Sequence, residues 1–348
     1  MAKRNIVVIG ASAGGVYALK ELVRVLPADL SASIFVVQHV SPYAPSLLPQ
    51  ILNHVGKIKA IHPADGQLIE AGCIYIAPPD HHLLIEGDKI LVKKGPKENR
   101  FRPSIDALFR SAAYSYGSRV IGVVLTGLLN DGTSGMWTVK RLGGVSIVQQ
   151  PEDAEFASMP ESVLEYVDVD HVVPLTEMAQ LLGQLTQEIA PSSEELPKEE
   201  IVRIETEIDI AAQVNGFDMG IINKGELTPL TCPECHGALV RFKEGKLIRY
   251  RCHTGHAYTA SALLSEVTQS VEATLWNSAR GLDETVMLLE QSAQAFASTG
   301  EQDSANQFYE KAQQVRERGN KIRALIFEQE QLSEDKLYDN IKEEKSQR

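Results

Sequence analysis

Residues 5 to 15, Asn5-Ile-Val-Val-Ile-Gly-Ala-Ser-Ala-Gly-Gly15, constrain the fold most, because a β-branched run stops at a turn of small residues and a helical pattern follows at once. Ile6 to Ile9 reads as a buried strand, whereas Val16, Leu19, Leu22, Val23 and Leu26 recur at helical spacing. A buried strand feeding an amphipathic helix opens an α/β unit with a parallel sheet. Ser12 then stands on the strand-to-helix turn. Gly10-Ala-Ser12-Ala-Gly14 fits G-x-S-x-G, in which flanking glycines let the backbone bend sharply and expose the hydroxyl near helix N-terminal amides. The turn also resembles a dinucleotide loop, G-x-G-x-x-G, with Ser12 in place of the glycine that lets pyrophosphate approach. On the motif alone both readings stand, and partner residues must decide.

A serine nucleophile needs a base within hydrogen-bond reach and a carboxylate behind that base. Ser33 to Val37 is a second apolar strand, with His39 just beyond it; Val120 to Leu125 is a later one, followed by Thr126-Gly-Leu-Leu-Asn-Asp131-Gly and a further helical pattern. In an open parallel sheet the carboxyl ends of the strands share one edge, so Ser12, His39 and Asp131 can converge there. Taken singly, His39 is an ordinary loop histidine and Asp131-Gly132 an ordinary turn. His54, His62 and His171 read as ordinary loop or surface residues, and His81-His82 follows the turn Ala77-Pro-Pro-Asp80 with no paired carboxylate signature, so all rank below His39.

With these motifs in place, residues from about Asn5 to Leu182 resemble the catalytic domain of the chemotaxis receptor methylesterases. The resemblance rests on Ile9-Gly-Ala-Ser-Ala-Gly-Gly15, Val37-Gln-His39, Ile74-Tyr-Ile-Ala-Pro-Pro-Asp-His-His82, Arg102-Pro-Ser-Ile-Asp106 and Leu125-Thr-Gly-Leu-Leu-Asn-Asp-Gly-Thr-Ser-Gly-Met136. It implies Ser12 as nucleophile, His39 as base and Asp131 as orienting carboxylate. It further implies hydrolysis of glutamyl methyl esters on methyl-accepting chemoreceptor-like proteins through an acyl-enzyme, with glutamine deamidation open to the same intermediate and no catalytic cofactor. The turn geometry and the resemblance together suggest the N–H groups of Ala13 and Leu128 for the oxyanion. Departures from the family pattern are Ala13, where threonine is common, and Leu128-Leu129, where Met-Gly is common. Family members usually open with a receiver domain, so control by a receiver of its own is not expected here. A docking module for a receptor or a methyltransferase is the alternative reading. A nucleotide-binding oxidoreductase is disfavoured by the missing middle glycine.

At 348 residues the chain exceeds the usual size of a single core, and two domains are the default expectation. No stretch approaches the length of a membrane span and the chain leads directly into a core strand, so a cytoplasmic protein, not inserted in a membrane, is expected. Residues 1 to 190 carry 16 Lys/Arg and 19 Asp/Glu, which leaves −9 of the net −12 in the remaining 158 residues and speaks against a nucleic-acid partner. The expected order is a catalytic domain over 1–190, an acidic linker over 191–228, a cysteine/histidine module over 229–260 and a helical hairpin with a polar tail over 261–348. In the module, Cys232-Pro-Glu-Cys235 and Cys252-His-Thr-Gly-His256 flank a strand-like hairpin, and Cys232, Cys235, Cys252 and His256 (or His253) have the spacing of a structural zinc-ribbon-like site; buried metal-free thiols are the other reading. The hairpin is drawn from the periodicity of Leu263 to Leu289, a turn near Ala297 to Glu301 and a second helix from Ser304 to Leu332, suited to docking or dimerisation. Overall the fold class expected is α/β, a doubly wound, mostly parallel sheet with helices on both faces, followed by these two smaller parts.

Overall fold

In a computed structural model of the chain, which describes residues 2–192, 196–212, 216–328 and 332, β1 (Ile6–Ala11) is buried along its whole length. Then come α1 (Gly15–Val25), β2 (Ser33–Gln38), α2 (Leu48–Val55), β3 (Lys59–Ile61), β4 (Gln67–Leu68), β5 (Cys73–Ile76), β6 (His82–Glu86), β7 (Lys89–Lys93), α3 (Ile105–Tyr116), β8 (Val120–Val124), α4 (Thr133–Arg141), β9 (Val145–Gln149), α5 (Ser158–Tyr166), β10 (His171–Val173) and α6 (Leu175–Leu185). Seven strands form one parallel sheet in the order β10-β9-β8-β1-β2-β5-β3. Its alternating side chains divide between two cores. Val7, Ile9, Ile34, Val36, Ile121 and Val123 pack with Leu19 and Leu22 of α1, Leu52 of α2 and Leu182 of α6. On the other face, Ile6, Val8, Phe35, Val37 and Val124 pack with Leu108 and Phe109 of α3, Met136 of α4 and Val163 of α5. Because successive residues of a strand point to opposite faces, a continuous apolar run is what a sheet covered on both sides requires. β4, β7 and β6 make a small antiparallel sheet beside α3.

The strand order reverses between β1 and β8, with β2 on the other side of β1, so the carboxyl ends of these strands border the crevice where ligands bind in such sheets.

The segment expected to be an acidic linker contains a helix, α7 (Lys198–Ala211). Ile204 enters the core around α3, and Ala211 packs with Leu84 and Ala107. Composition misleads here because the charged residues of α7 alternate with isoleucines at helical spacing, and one acid, Glu207, is itself buried. Residues 193–195 and 213–215 of that segment lie outside the described residues.

Beyond α7, β11 (Glu226–Thr231), β12 (Ala238–Glu244), β13 (Leu247–Cys252) and β14 (Ala257–Thr259) form an antiparallel sheet in chain order. Its core holds Cys232, Leu239, Cys252, Tyr258 and Leu263. The described residues up to 263 make one compact unit that includes this sheet; those from 264 on make a second. The second unit is a helical hairpin made by α8 (Ala260–Ser298), which starts at the end of the first unit, and α9 (Gln302–Glu328). Val286, Ala312 and Val315 form its seam, and Phe296 rests on Phe308. The end of the expected second helix, 329–331, and the polar tail from 333 lie outside the described residues.

Candidate active site

Three turns at the carboxyl edge of the sheet bring the predicted residues together. Ser12 follows β1, and its N–H donates to the Thr126 carbonyl beyond β8 at 3.0 Å. Gly14 makes the sharp bend into α1 at φ +73°, a left-handed conformation that glycine adopts without steric cost. His39 follows β2 and donates its own N–H to the Ala11 carbonyl at 3.1 Å, which ties the second turn to the first. Gln38 Nε2 bonds the carbonyls of both Ser12 (2.7 Å) and His39 (3.0 Å). Asp131 is the last residue before the αL glycine that opens α4.

Between them runs a relay. His39 Nδ1 lies 3.1 Å from Ser12 Oγ, and His39 Nε2 lies 2.9 Å from Asp131 Oδ2. A neutral ring that donates from Nε2 to the carboxylate keeps a lone pair on Nδ1 for the serine hydroxyl. The Asp131 side chain is fully buried. Burial opposes its charge, but the hydrogen bond from His39, the Ile105 N–H (2.7 Å) and the Asn99 amide (3.1 Å) outweigh it and hold the carboxyl below its usual range. Ser104 Oγ adds a donor at 2.9 Å.

Several of these partners escape a reading by motif. Phe101 stacks on the His39 ring, centroids 3.6 Å apart and nearly parallel. Asp106, also fully buried, accepts from the N–H groups of Gly132 and Gly135 and from Asn99 Nδ2. Burial first, then the neighbouring Asp131 charge, push its carboxyl up to about 8. In the sequence Asp106 stands out only as the last residue of Arg102-Pro-Ser-Ile-Asp106, and nothing there placed it beside Asp131.

Of the two oxyanion candidates, neither the Ala13 nor the Leu128 N–H has a hydrogen-bond partner among the described residues. Leu128 is half-exposed, at 49%. The preceding Gly127 passes so near the serine that an added Cβ would meet Met159 Sδ at 2.1 Å and Ser12 Cβ at 2.8 Å. The other histidines stay apart. His62 bonds the Ile76 carbonyl, and His82 is fully buried between the Pro96 carbonyl and the Ser104 N–H.

In the cysteine module one ligand atom from each of Cys232, Cys235, Cys252 and His256 lies within 4.8 Å of all the others. Cys235 Sγ to Cys252 Sγ is 3.6 Å, Cys232 Sγ to His256 Nδ1 is 3.7 Å and Cys252 Sγ to His256 Nδ1 is 3.6 Å. A tetrahedral zinc at ordinary bond lengths sets such ligand atoms about 3.5–3.8 Å apart, so the donor set fits. Glu234 Oε2 sits 3.3 Å from the far nitrogen of His256, where a partner orients a ligating ring. His253 is not in the cluster.

Compared with known proteins, residues 7–182 match the family model described as CheB methylesterase. A relative from Leptospira interrogans is 40% identical over 182 residues, which are 52% of this chain and 94% of the relative. The protein-glutamate methylesterase/protein-glutamine glutaminase 2 of Methanosarcina acetivorans is 38% identical over 187 residues, 51% of this chain and 52% of that protein, so the chain spans about half its length. The crystal structure of the Thermotoga maritima CheB methylesterase catalytic domain is similar with a TM-score of 0.50 at 35% identity, covering 53% of this chain and 99% of that one.

Proposed function

Because the chain belongs to the CheB methylesterase family, we propose that it hydrolyses glutamyl methyl esters on chemoreceptor-like proteins, with Ser12 as nucleophile, His39 as base and Asp131 as the carboxylate behind it. The observation that carries this reading is the unbroken relay from Ser12 Oγ through both ring nitrogens of His39 to a buried carboxylate. As Ser12 Oγ attacks the ester carbonyl, His39 Nδ1 takes its proton and the ring becomes cationic; Asp131 stabilises that charge and fixes the tautomer. The tetrahedral oxyanion would be met by the unpartnered N–H groups of Ala13 and Leu128. Methanol departs with the proton from His39. Water, activated by the same ring, then frees the glutamate from Ser12. An amide can enter the same sequence with ammonia as leaving group, in line with the double activity in the name of the Methanosarcina relative.

No catalytic cofactor is invoked. Zinc held by Cys232, Cys235, Cys252 and His256 would serve structure, tying β11, β12 and β13 together at one end. Among the described residues no helix is long and apolar enough to cross a membrane. Residues 264 to 328 would recruit a helical partner, whether a receptor, a methyltransferase or a second copy of the chain.

Methanol release from methylated receptor fragments tests the assignment. The intact chain should release it and the Ser12→Ala variant should not; equal rates would reject the nucleophile.

A further inference from the structure

A single turn, Glu98 to Phe101, touches both of the residues behind Ser12. Asn99 Nδ2 donates to Asp131 Oδ1 at 3.1 Å and to Asp106 Oδ2 at 2.7 Å, while Phe101 lies flat on His39. The turn is closed on itself by Glu98 N–H to the Phe101 carbonyl (3.2 Å) and Phe101 N–H to the Glu98 carbonyl (2.9 Å). Asn99 and Arg100 hold it at φ +49° and +78°, a backbone region sparsely populated by residues other than glycine. Such a conformation persists where its surroundings enforce it.

The enforcement comes from the cysteine module. Ala257 N–H donates to the Lys97 carbonyl at 3.2 Å, and Asn99 N–H donates to the Ala257 carbonyl at 2.8 Å, so β14 lies against this turn as an added strand. Thr259 N–H donates to Asn99 Oδ1 at 2.9 Å. That last bond settles which way the Asn99 amide faces: with its oxygen held by Thr259, its two N–H groups must point at the carboxyl groups of Asp131 and Asp106. Thr259 Oγ1 also bonds Asn130 Oδ1, next to Asp131, at 2.8 Å. Ala257 is the residue after His256, and Lys97 Nζ pairs with Glu234 between Cys232 and Cys235. The cysteine cluster is thus one residue away from the strand that fixes Asn99.

We propose that β14 of the cysteine module is a positioning element of the active site, that Asn99 is the positioning residue through which it holds Asp131, and that zinc on Cys232, Cys235, Cys252 and His256 keeps β14 in place. This rests on the reading of Ser12, His39 and Asp131 above. Loss of zinc frees β14, the Asn99 amide loses the bond that orients it, and the relay behind His39 loosens while the substrate surface is left as it was.

The full-length chain serves for the test, loaded with zinc, stripped with a chelator and reloaded. Stripping should lower kcat for methanol release by about 10²-fold, the size of effect that a misplacement of about 1 Å produces, with KM unchanged and recovery on adding zinc. Hydrogen exchange at the Asn99 amide, which needs no activity, should accelerate on stripping and slow again on reloading. Asn99→Ala should lower kcat to a similar extent with KM unchanged, and stripping that variant should then cost little more, because the two changes act through one contact. A chain that binds no zinc, or a stripped chain with unchanged Asn99 exchange, overturns the proposal. So does a stripped wild type whose kcat holds while KM rises. A zinc-loaded wild type that releases no methanol would reject the esterase reading alone, since exchange still decides the coupling.

Discussion

Ser12, His39 and Asp131 receive unequal support from their neighbours, and the differences predict how each substitution behaves. Ser12→Ala and His39→Ala should fold normally and reduce methanol release by at least about 10⁴-fold, because members of such a relay act as one unit. Asp131→Asn should fold and lose about 10⁴-fold in kcat, since an amide cannot stabilise the charged ring and can hold the wrong tautomer; near-normal turnover would show that the carboxylate is misassigned. Glu98 poses a different residue-scale question. It is fully buried, and against the cost of burial Arg110, Arg251 and Arg249 hold its carboxyl down at about 2, below the ordinary 4.5. The folded state therefore binds fewer protons than the unfolded chain between those values, and the stability that Glu98 contributes, present above pH 4.5, is lost as pH falls toward 2. Asp106 acts in the opposite sense, since its raised value makes the folded state the better proton binder from about 4 to 8 and lets stability decline across that range. Urea denaturation against pH checks both limbs. Glu98→Gln should abolish the acidic contribution of that residue and destabilise the fold by about 3–5 kcal/mol at pH 7, because it leaves buried guanidinium groups without their partner.

Those charges belong to an arrangement at the scale of elements. Glu98 from the turn before α3, Arg110 from α3, Glu207 from α7, Glu244 from β12 and Arg249 and Arg251 from β13 form one buried network, with Arg249 to Glu207 at 2.6 Å and Arg251 to Glu98 at 2.8 Å. Ser134 of α4 joins it through Glu244 at 2.6 Å. Alternating inward residues of β13 thus carry arginine where an isolated sheet would carry leucine, so this face makes sense only against the buried carboxylates of Glu98, Glu207 and Glu244. α7 supplies one of them, which is why an acidic stretch that reads as solvated is packed. Close approach matters as much at the serine turn. Gly127→Ala should lower kcat by about 10²-fold with secondary structure intact, because the new methyl group meets Met159 and Ser12 and the serine must shift; steady-state kinetics with circular dichroism on the purified variant would check this.

At the scale of the whole molecule, removing residues 264–348 should raise KM for receptor fragments and leave kcat unchanged, because it deletes binding that ground state and transition state share equally. A chain ending at Ala190 should instead lose kcat, since Glu98 and Arg110 are stranded and Asn99 is released; steady-state kinetics of the two shortened proteins, compared with the intact one, separates these outcomes, and a higher kcat in either would point to a shielding tail. The two truncations also mark where sequence stops being sufficient. The chain's own pattern determined the parallel sheet, the serine turn, the histidine and aspartate at neighbouring strand ends, the cysteine spacing and the helical hairpin, because each follows from the period of apolar residues or from short-range spacing, which are local properties. Tertiary structure alone decided that α7 packs instead of linking, that Asp106 and Asn99 face Asp131, that Phe101 covers His39 and that β14 lies against the turn holding them. Those contacts join residues up to 160 positions apart, as Asn99 is from Thr259. Buried polar groups find partners wherever the fold brings complementary atoms together, and no periodicity along the chain records which atoms those will be.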